Sequence, residues 1–174
     1  MALGVVSRRM AVTIRVATPD DAGEVFRLIH ELAVYEHLDH AVRADVGAIR
    51  AAMEADDPQV HVLLAEDATD DTPRVIGFAL YFFTFSTFEG APTLYLEDVF
   101  VEPSGRGRGV GTMLLRRLAG AALERGCRRM EWTALDWNTS ARGFYENLGA
   151  KPMTSWIIHR LEAEGIEAVS RGRD

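Results

Sequence analysis

Cysteine is nearly missing from this chain: Cys127 is the only one in 174 residues. A lone thiol excludes an intrachain disulfide and leaves a zinc site without thiolate partners, which fits a reducing compartment. Cys127 itself reads as a small core residue. Long apolar runs are missing too. No stretch reaches the roughly 20 apolar residues of a membrane-spanning helix, and "MALGVVSRRM" is too short in its apolar part, and charged on the wrong side, for a secretory leader. Positive charge is in deficit, with 19 Lys and Arg against 26 Asp and Glu and a net charge of −7. Without a local basic cluster this balance argues against a broad nucleic-acid surface and tolerates a cationic ligand. Of the five histidines, His37 and His40 sit three apart with no third ligand in view, so no metal is expected. The expected setting is soluble and cytoplasmic, with neither membrane nor nucleic acid as partner.

What the chain does have is apolar substance, 48% of its residues, enough for one core. The expected organisation is a single domain over 10–164, a loose N-terminal extension over 1–9 with Met10 as an alternative start, and a C-terminal tail over 165–174. "VTIRVA" alternates like a strand; Thr18 then caps a helix with Pro19 at its first position and Asp20 and Asp21 in its first turn. A loop follows, then a short helix carrying Val46, Ile49 and Met53. "VHVLLAED" and "VIGFALYFFTFS", separated by the polar "ATDDTPR", predict an antiparallel hairpin. Leu94 to Val101 is the next strand, Gly109 to Arg125 a helix stopped by Gly126, and "RRMEWTALDW" a strand. "NTSARGFYENLG" is a helix and "MTSWIIHRLE" a last strand. The predicted class is α/β, a mixed sheet with helices on its faces in the order β-α-α-β-β-β-α-β-α-β.

Chemistry concentrates in "YLEDVFVEPSGRGRGVGTMLLRRL", where Gly105, Gly107, Gly109 and Gly111 alternate between strand and helix. Glycines placed so permit positive φ and expose successive N–H groups, and the helix N-terminus adds partial positive charge, so a phosphate or diphosphate is a natural guest. An ordinary flexible connection is the competing reading. The nucleoside-triphosphate loop fails here, because no Lys precedes Thr112, and the dinucleotide spacing fails as well. What remains is Arg106-x-x-Gly109-x-Gly111.

That pattern, following "LYLEDVFV" and followed by "WNTSARGFYENLGA", resembles the GNAT superfamily of acyl-CoA-dependent N-acyltransferases, whose loop is Gln/Arg-x-x-Gly-x-Gly/Ala. These motifs, with "ELAVYEHLDHAV", resemble its diamine (spermidine/spermine) and thialysine N-acetyltransferase branch. The resemblance spans about Thr13 to Leu161. It implies acetyl-CoA as cosubstrate, direct attack by a small-molecule primary amine in a ternary complex, and a homodimer. The other readings are a protein or peptide N-acetyltransferase and a catalytically silent CoA-binding sensor.

An amine of pKa near ~10 is only about 0.1% neutral at pH 7, so a base or a desolvating site must help. Glu97, on a strand face with Tyr95, Val99 and Val101, is the candidate base, with a pKa expected to be raised by apolar neighbours. Asp98 between Leu96 and Phe100 poses the same burial problem and, by resemblance, recognises the amine. By resemblance also, Tyr145 protonates the departing thiolate, and Asn138 contacts CoA, although it suits a helix N-cap equally well. The expected cofactor contacts are completed by Phe100 and Val101, whose backbone would meet the pantetheine, and by Arg106, Gly107, Arg108, Gly109, Val110, Gly111 and Thr112 around the diphosphate. Arg108 stays open between a phosphate contact and a solvated side chain. Glu36 resembles an acidic amine-binding position, and Phe88 and Trp156 are candidate aromatic walls. Thr154 and Ser155 replace acidity that polyamine-acetylating relatives carry before the Trp, which points toward shorter amines.

Overall fold

The computed structural model describes residues 12–69 and 72–172; the N-terminal extension and Met10 lie outside the described residues. The chain divides into two compact units, one up to Thr133 and one from Ala134.

The first unit is built on a five-stranded sheet whose spatial order follows the chain: β1 (Val12–Val16), β2 (His61–Asp67), β3 (Arg74–Ser86), β4 (Ala91–Val101) and β5 (Arg129–Trp132). The first four pair antiparallel, and β5 returns parallel to β4 through a helical crossover. Thr18 and Pro19 start a single 3₁₀ turn, with the Asp21 carboxylate accepting from the Thr18 N–H at 2.7 Å, and α1 (Ala22–Tyr35) continues from it. Asp45 caps α2 (Val46–Glu54) by accepting from Ala48 N at 2.8 Å. Val25 and Leu28 of α1 meet Val62 and Leu64 of β2, Val75, Phe78 and Leu80 of β3 and Phe100 of β4 in one buried cluster. The alternate residues Leu63 and Ala65 are buried as well, so both sheet faces are covered. α3 (Val110–Glu124) buries Val110, Leu114, Leu115 and Leu118 and ends at Gly126, φ +74, with Cys127 N donating to Ala122 O.

The second unit carries α4 (Thr139–Asn147) and α5 (Ala163–Ser170). One expectation is corrected here. The segment 153–162, predicted as the last strand, turns at 154–155 and joins no ladder among the described residues, so the order ends α-α instead of α-β. Its β-branched and aromatic residues satisfy a strand's composition, but a strand also needs a neighbouring edge. Residues 163–170 form α5.

Candidate active site

The site in the first unit begins with an irregularity in β4. Leu80 of β3 pairs with Asp98 and Tyr81 with Leu96, so Glu97 is an extra residue without an opposite number. Such a bulge bends a strand and re-aims its side chains. Here it leaves Glu97 exposed, whereas Asp98 is half-buried between Leu96 and Phe100. Strand alternation alone had placed Glu97 among apolar neighbours; the bulge instead leaves it exposed and transfers the burial to Asp98. Burial, and then the negative charges of Glu97 and Glu36, push the Asp98 carboxyl up to about 6. Burial also raises Glu36, which ends α1 just before His37 turns the chain in a left-handed conformation. Three carboxylates thus gather where α1 ends and β4 bulges.

The same stretch of β4 is open on one side. β5 pairs with β4 only from Thr93 to Leu96, so from Glu97 to Val101 the backbone has a strand neighbour on the β3 side alone among the described residues. An exposed sheet edge is a template for an extended amide-bearing partner. Phe100 and Val101 lie on it.

Beyond β4, a 3₁₀ turn (Pro103–Gly105) leads to the glycine loop. The four glycines answer to different constraints. A side chain at Gly105 would press on Val101 Cγ1 at 2.9 Å and Ile76 Cδ1 at 3.1 Å, whereas Gly107 (φ +72) and Gly109 (φ +78) adopt left-handed backbone. Gly109 is the N-cap of α3, and Val110, Gly111 and Thr112 make its first turn. Left-handed turns leading into a helix N-terminus suit a diphosphate. The loop's arginines are both occupied. Arg106 Nε donates to Val101 O at 3.0 Å, and its guanidinium lies 5.0 Å from the Tyr35 ring centroid and 5.7 Å from that of Phe100. Arg108 pairs with Asp67 at 2.7 Å.

Glu102 escaped sequence reading altogether. It is only 3% exposed and binds Arg27 Nη1 at 2.7 Å, Arg74 Nη2 at 2.6 Å and the Ser104 hydroxyl at 3.2 Å. This ties α1 and β3 to the start of the glycine loop. A Glu between Val101 and Pro103 was the available signal, but its partners are 75 and 28 positions away.

Phe88 does not join this group. It is 90% exposed at the β3–β4 turn, and the seven strand residues from Ala91 to Glu97 separate that turn from the carboxylates by about 20 Å. In the second unit, Asn138 is the N-cap of α4, its side-chain oxygen accepting from Ala141 N at 3.1 Å. Tyr145 lies half-buried on the same helix, its ring 5.4 Å from that of Phe144. Trp156 is 71% exposed.

A family model described as the Acetyltransferase (GNAT) family matches residues 24–150. The chain belongs to the GNAT acetyltransferase family. It is an N-acetyltransferase, and the family's acetyl donor is acetyl-CoA. It is 37% identical to the thialysine N-epsilon-acetyltransferase of Bos taurus over 166 residues, covering 91% of this chain and 97% of the relative. An L-ornithine acetyltransferase of Arabidopsis thaliana is 30% identical, covering 94% of this chain and 90% of the relative. Among solved structures, an integron cassette protein from the mobile metagenome of V. cholerae matches with a TM-score of 0.76 at 27% identity, covering 94% and 99% of the two chains. An aminoglycoside N-acetyltransferase in complex with CoA shares the GNAT fold at a TM-score of 0.70 and 23% identity, covering 90% and 98% of the two chains.

Proposed function

We propose that this GNAT enzyme acetylates the side-chain or terminal primary amine of a small cationic substrate, a thialysine-like amino acid or a short diamine, with acetyl-CoA as donor. The observation that carries this reading is the gathering of Glu36, Glu97 and Asp98 beside the open β4 edge and the glycine loop. The relatives named for thialysine and ornithine support it. At neutral pH Asp98, with its pKa near 6, is ionised, and together with Glu36 it attracts an ammonium group. Glu97, exposed at the bulge, takes the proton from that ammonium directly or through water and frees the nucleophilic nitrogen.

Acetyl-CoA supplies an activated thioester. The 106–112 backbone binds its diphosphate, Asn138 contributes to its binding, and the β4 edge at Phe100 and Val101 orients the pantetheine and polarises the thioester carbonyl through main-chain N–H groups. Tyr145 gives its phenolic proton to the leaving thiolate. Trp156 offers an aromatic surface to the alkyl chain of the amine; Phe88, at the far end of β4, is left out of this role. The enzyme is proposed to act as a cytoplasmic homodimer, with the exposed apolar run Trp156, Ile157 and Ile158 as part of the subunit contact.

The test is release of free CoA thiol from acetyl-CoA in the presence of thialysine, lysine, putrescine, spermidine, spermine or an aminoglycoside. Turnover is expected with thialysine or putrescine and weak with spermine. Binding of acetyl-CoA without turnover on any of them would favour a silent sensor, and turnover confined to peptides would move the substrate to the protein class.

A further inference from the structure

The segment Gly107-Arg108-Gly109 is the flexible heart of the glycine loop, with left-handed backbone on both sides of its single side chain. Two such glycines give the chain little conformational preference of its own, so the shape must be imposed by whatever holds Arg108. Its guanidinium is mostly buried. Nη1 is 2.7 Å from Asp67 Oδ2 and 3.5 Å from the Ser104 carbonyl, while Nε and Nη2 are sealed from solvent with no hydrogen-bond partner among the described residues. Asp67 ends β2 and is itself fixed, accepting from the Thr69 N–H at 3.1 Å and from the Thr69 hydroxyl. Both members of the pair are about four-fifths buried, at 18% and 17% side-chain exposure.

We infer that Asp67 is a positioning residue for acetyl-CoA binding: through Arg108 it clamps the Gly107–Gly109 turn in the shape that receives the diphosphate. This rests on the reading of the loop as the acetyl-CoA site. Charge alone predicts the reverse effect, because a carboxylate beside a diphosphate site repels the ligand and neutralises an arginine that would otherwise attract it. The geometry decides between the two. A cation with two N–H groups closed off from water is compensated here by one carboxylate, and removing that partner leaves a buried unpaired charge that must move. The turn on either side of it moves with it. The Asp67 carboxyl is held down to about 2 by Arg108 first and by Thr69 next, so the clamp is closed throughout the neutral range.

The test compares Asp67→Asn with the wild-type enzyme by calorimetric titration against two ligands, acetyl-CoA and acetyl-pantetheine, which lacks the diphosphate. The variant is expected to bind acetyl-CoA about tenfold more weakly, a loss of about 1.4 kcal/mol, and acetyl-pantetheine within about twofold of wild type. In steady state this is a raised KM for acetyl-CoA with kcat nearly unchanged. The double variant Asp67→Asn/Arg108→Gln should lose no more than the single one, because the two side chains act in series. Equal or tighter acetyl-CoA binding by Asp67→Asn would overturn the proposal and assign the Arg108 charge to the phosphates. A parallel loss for both ligands would overturn it too, as general damage. If Asp67→Asn does not fold, Asp67→Glu, which keeps the charge and displaces it by one methylene, should show the same selective loss. Failure of wild-type enzyme to bind acetyl-CoA would instead remove the underlying reading.

Discussion

One oxygen atom on Tyr145 tests the proposed chemistry. Tyr145→Phe keeps the ring that packs beside Phe144 and removes only the phenolic proton, so kcat should fall by about a hundredfold or more while acetyl-CoA affinity stays within about twofold. Single-turnover rates beside equilibrium titration would show the split, and unchanged turnover would remove Tyr145 from the mechanism. Asp98 makes a prediction of opposite flavour, about stability. Its folded pKa is raised from 3.8 to about 6, so the folded state binds a proton more tightly than the unfolded chain does. The fold is therefore most favoured, as far as this group is concerned, below pH 4, and loses roughly 3 kcal/mol as pH rises through 6. Asp98→Asn escapes that loss. Relative to wild type it should gain stability between pH 4 and 7, as read from urea midpoints, and the gain should be absent at pH 4. The neighbouring charges of Glu97 and Glu36 contribute to the effect, so Glu36→Gln should make the loss smaller and lower the pH at which it is complete, with its onset near pH 4 unchanged. That an apolar strand carries two adjacent carboxylates, one of which has to be accommodated at a cost, was legible in "LYLEDVFV"; which of them is buried was not. Alternation has period two, and a single extra residue at Glu97 breaks it in a way that only pairing with Leu80 and Tyr81 of β3 reveals. Glu102 was illegible for a different reason. Its solvation by Arg27 and Arg74 is a product of topology, and no local pattern announces it.

At the scale of elements, the sequence announced that the segment between β4 and α3 needs bare backbone, but not that it needs it for two reasons. Substitution separates them. At Gly109 an added Cβ meets nothing within 4 Å, so only the positive φ resists it. Ala there should cost about 1–2 kcal/mol, and Asn, which tolerates that region, should cost less than Ala. At Gly105 the backbone is ordinary and the obstruction is the Val101 and Ile76 side chains, so Asn should be worse than Ala. The reversed order of Ala and Asn at the two positions, measured by urea denaturation, is the expected outcome. Helix limits were legible for the same physical reason that glycines were. Thr18 with Pro19, Asn138 and Gly126 are caps whose chemistry is local, and each begins or ends its helix as expected. The segment 153–162 shows the converse. Its composition is strand-like, but pairing is not a local property.

For the whole molecule, the second unit exposes a run of large apolar side chains. Trp156, Ile157, Ile158 and Leu161 are followed by Ile166 and Val169 of α5, all in contact with solvent in the single chain. So many large apolar side chains exposed within one short segment are what a subunit contact would cover. Sedimentation at micromolar concentration should give twice the 19.3 kDa chain mass, and Trp156→Asp with Ile158→Asp should shift it to the monomer value. A wild-type mass of one chain would remove the proposed dimer. In the first unit, the parting of β5 from β4 at Leu96 has a consequence of its own. If acetyl-CoA binds there as proposed, it is a structural element as well as a reagent, since a sheet that stops short on one side can be finished by a ligand with amides of its own. Catalysis and folding are then linked through the same main-chain groups. Saturating acetyl-CoA should slow amide exchange between Glu97 and Val101 selectively, and at a hundred times its Kd should raise the unfolding free energy by about 2.7 kcal/mol.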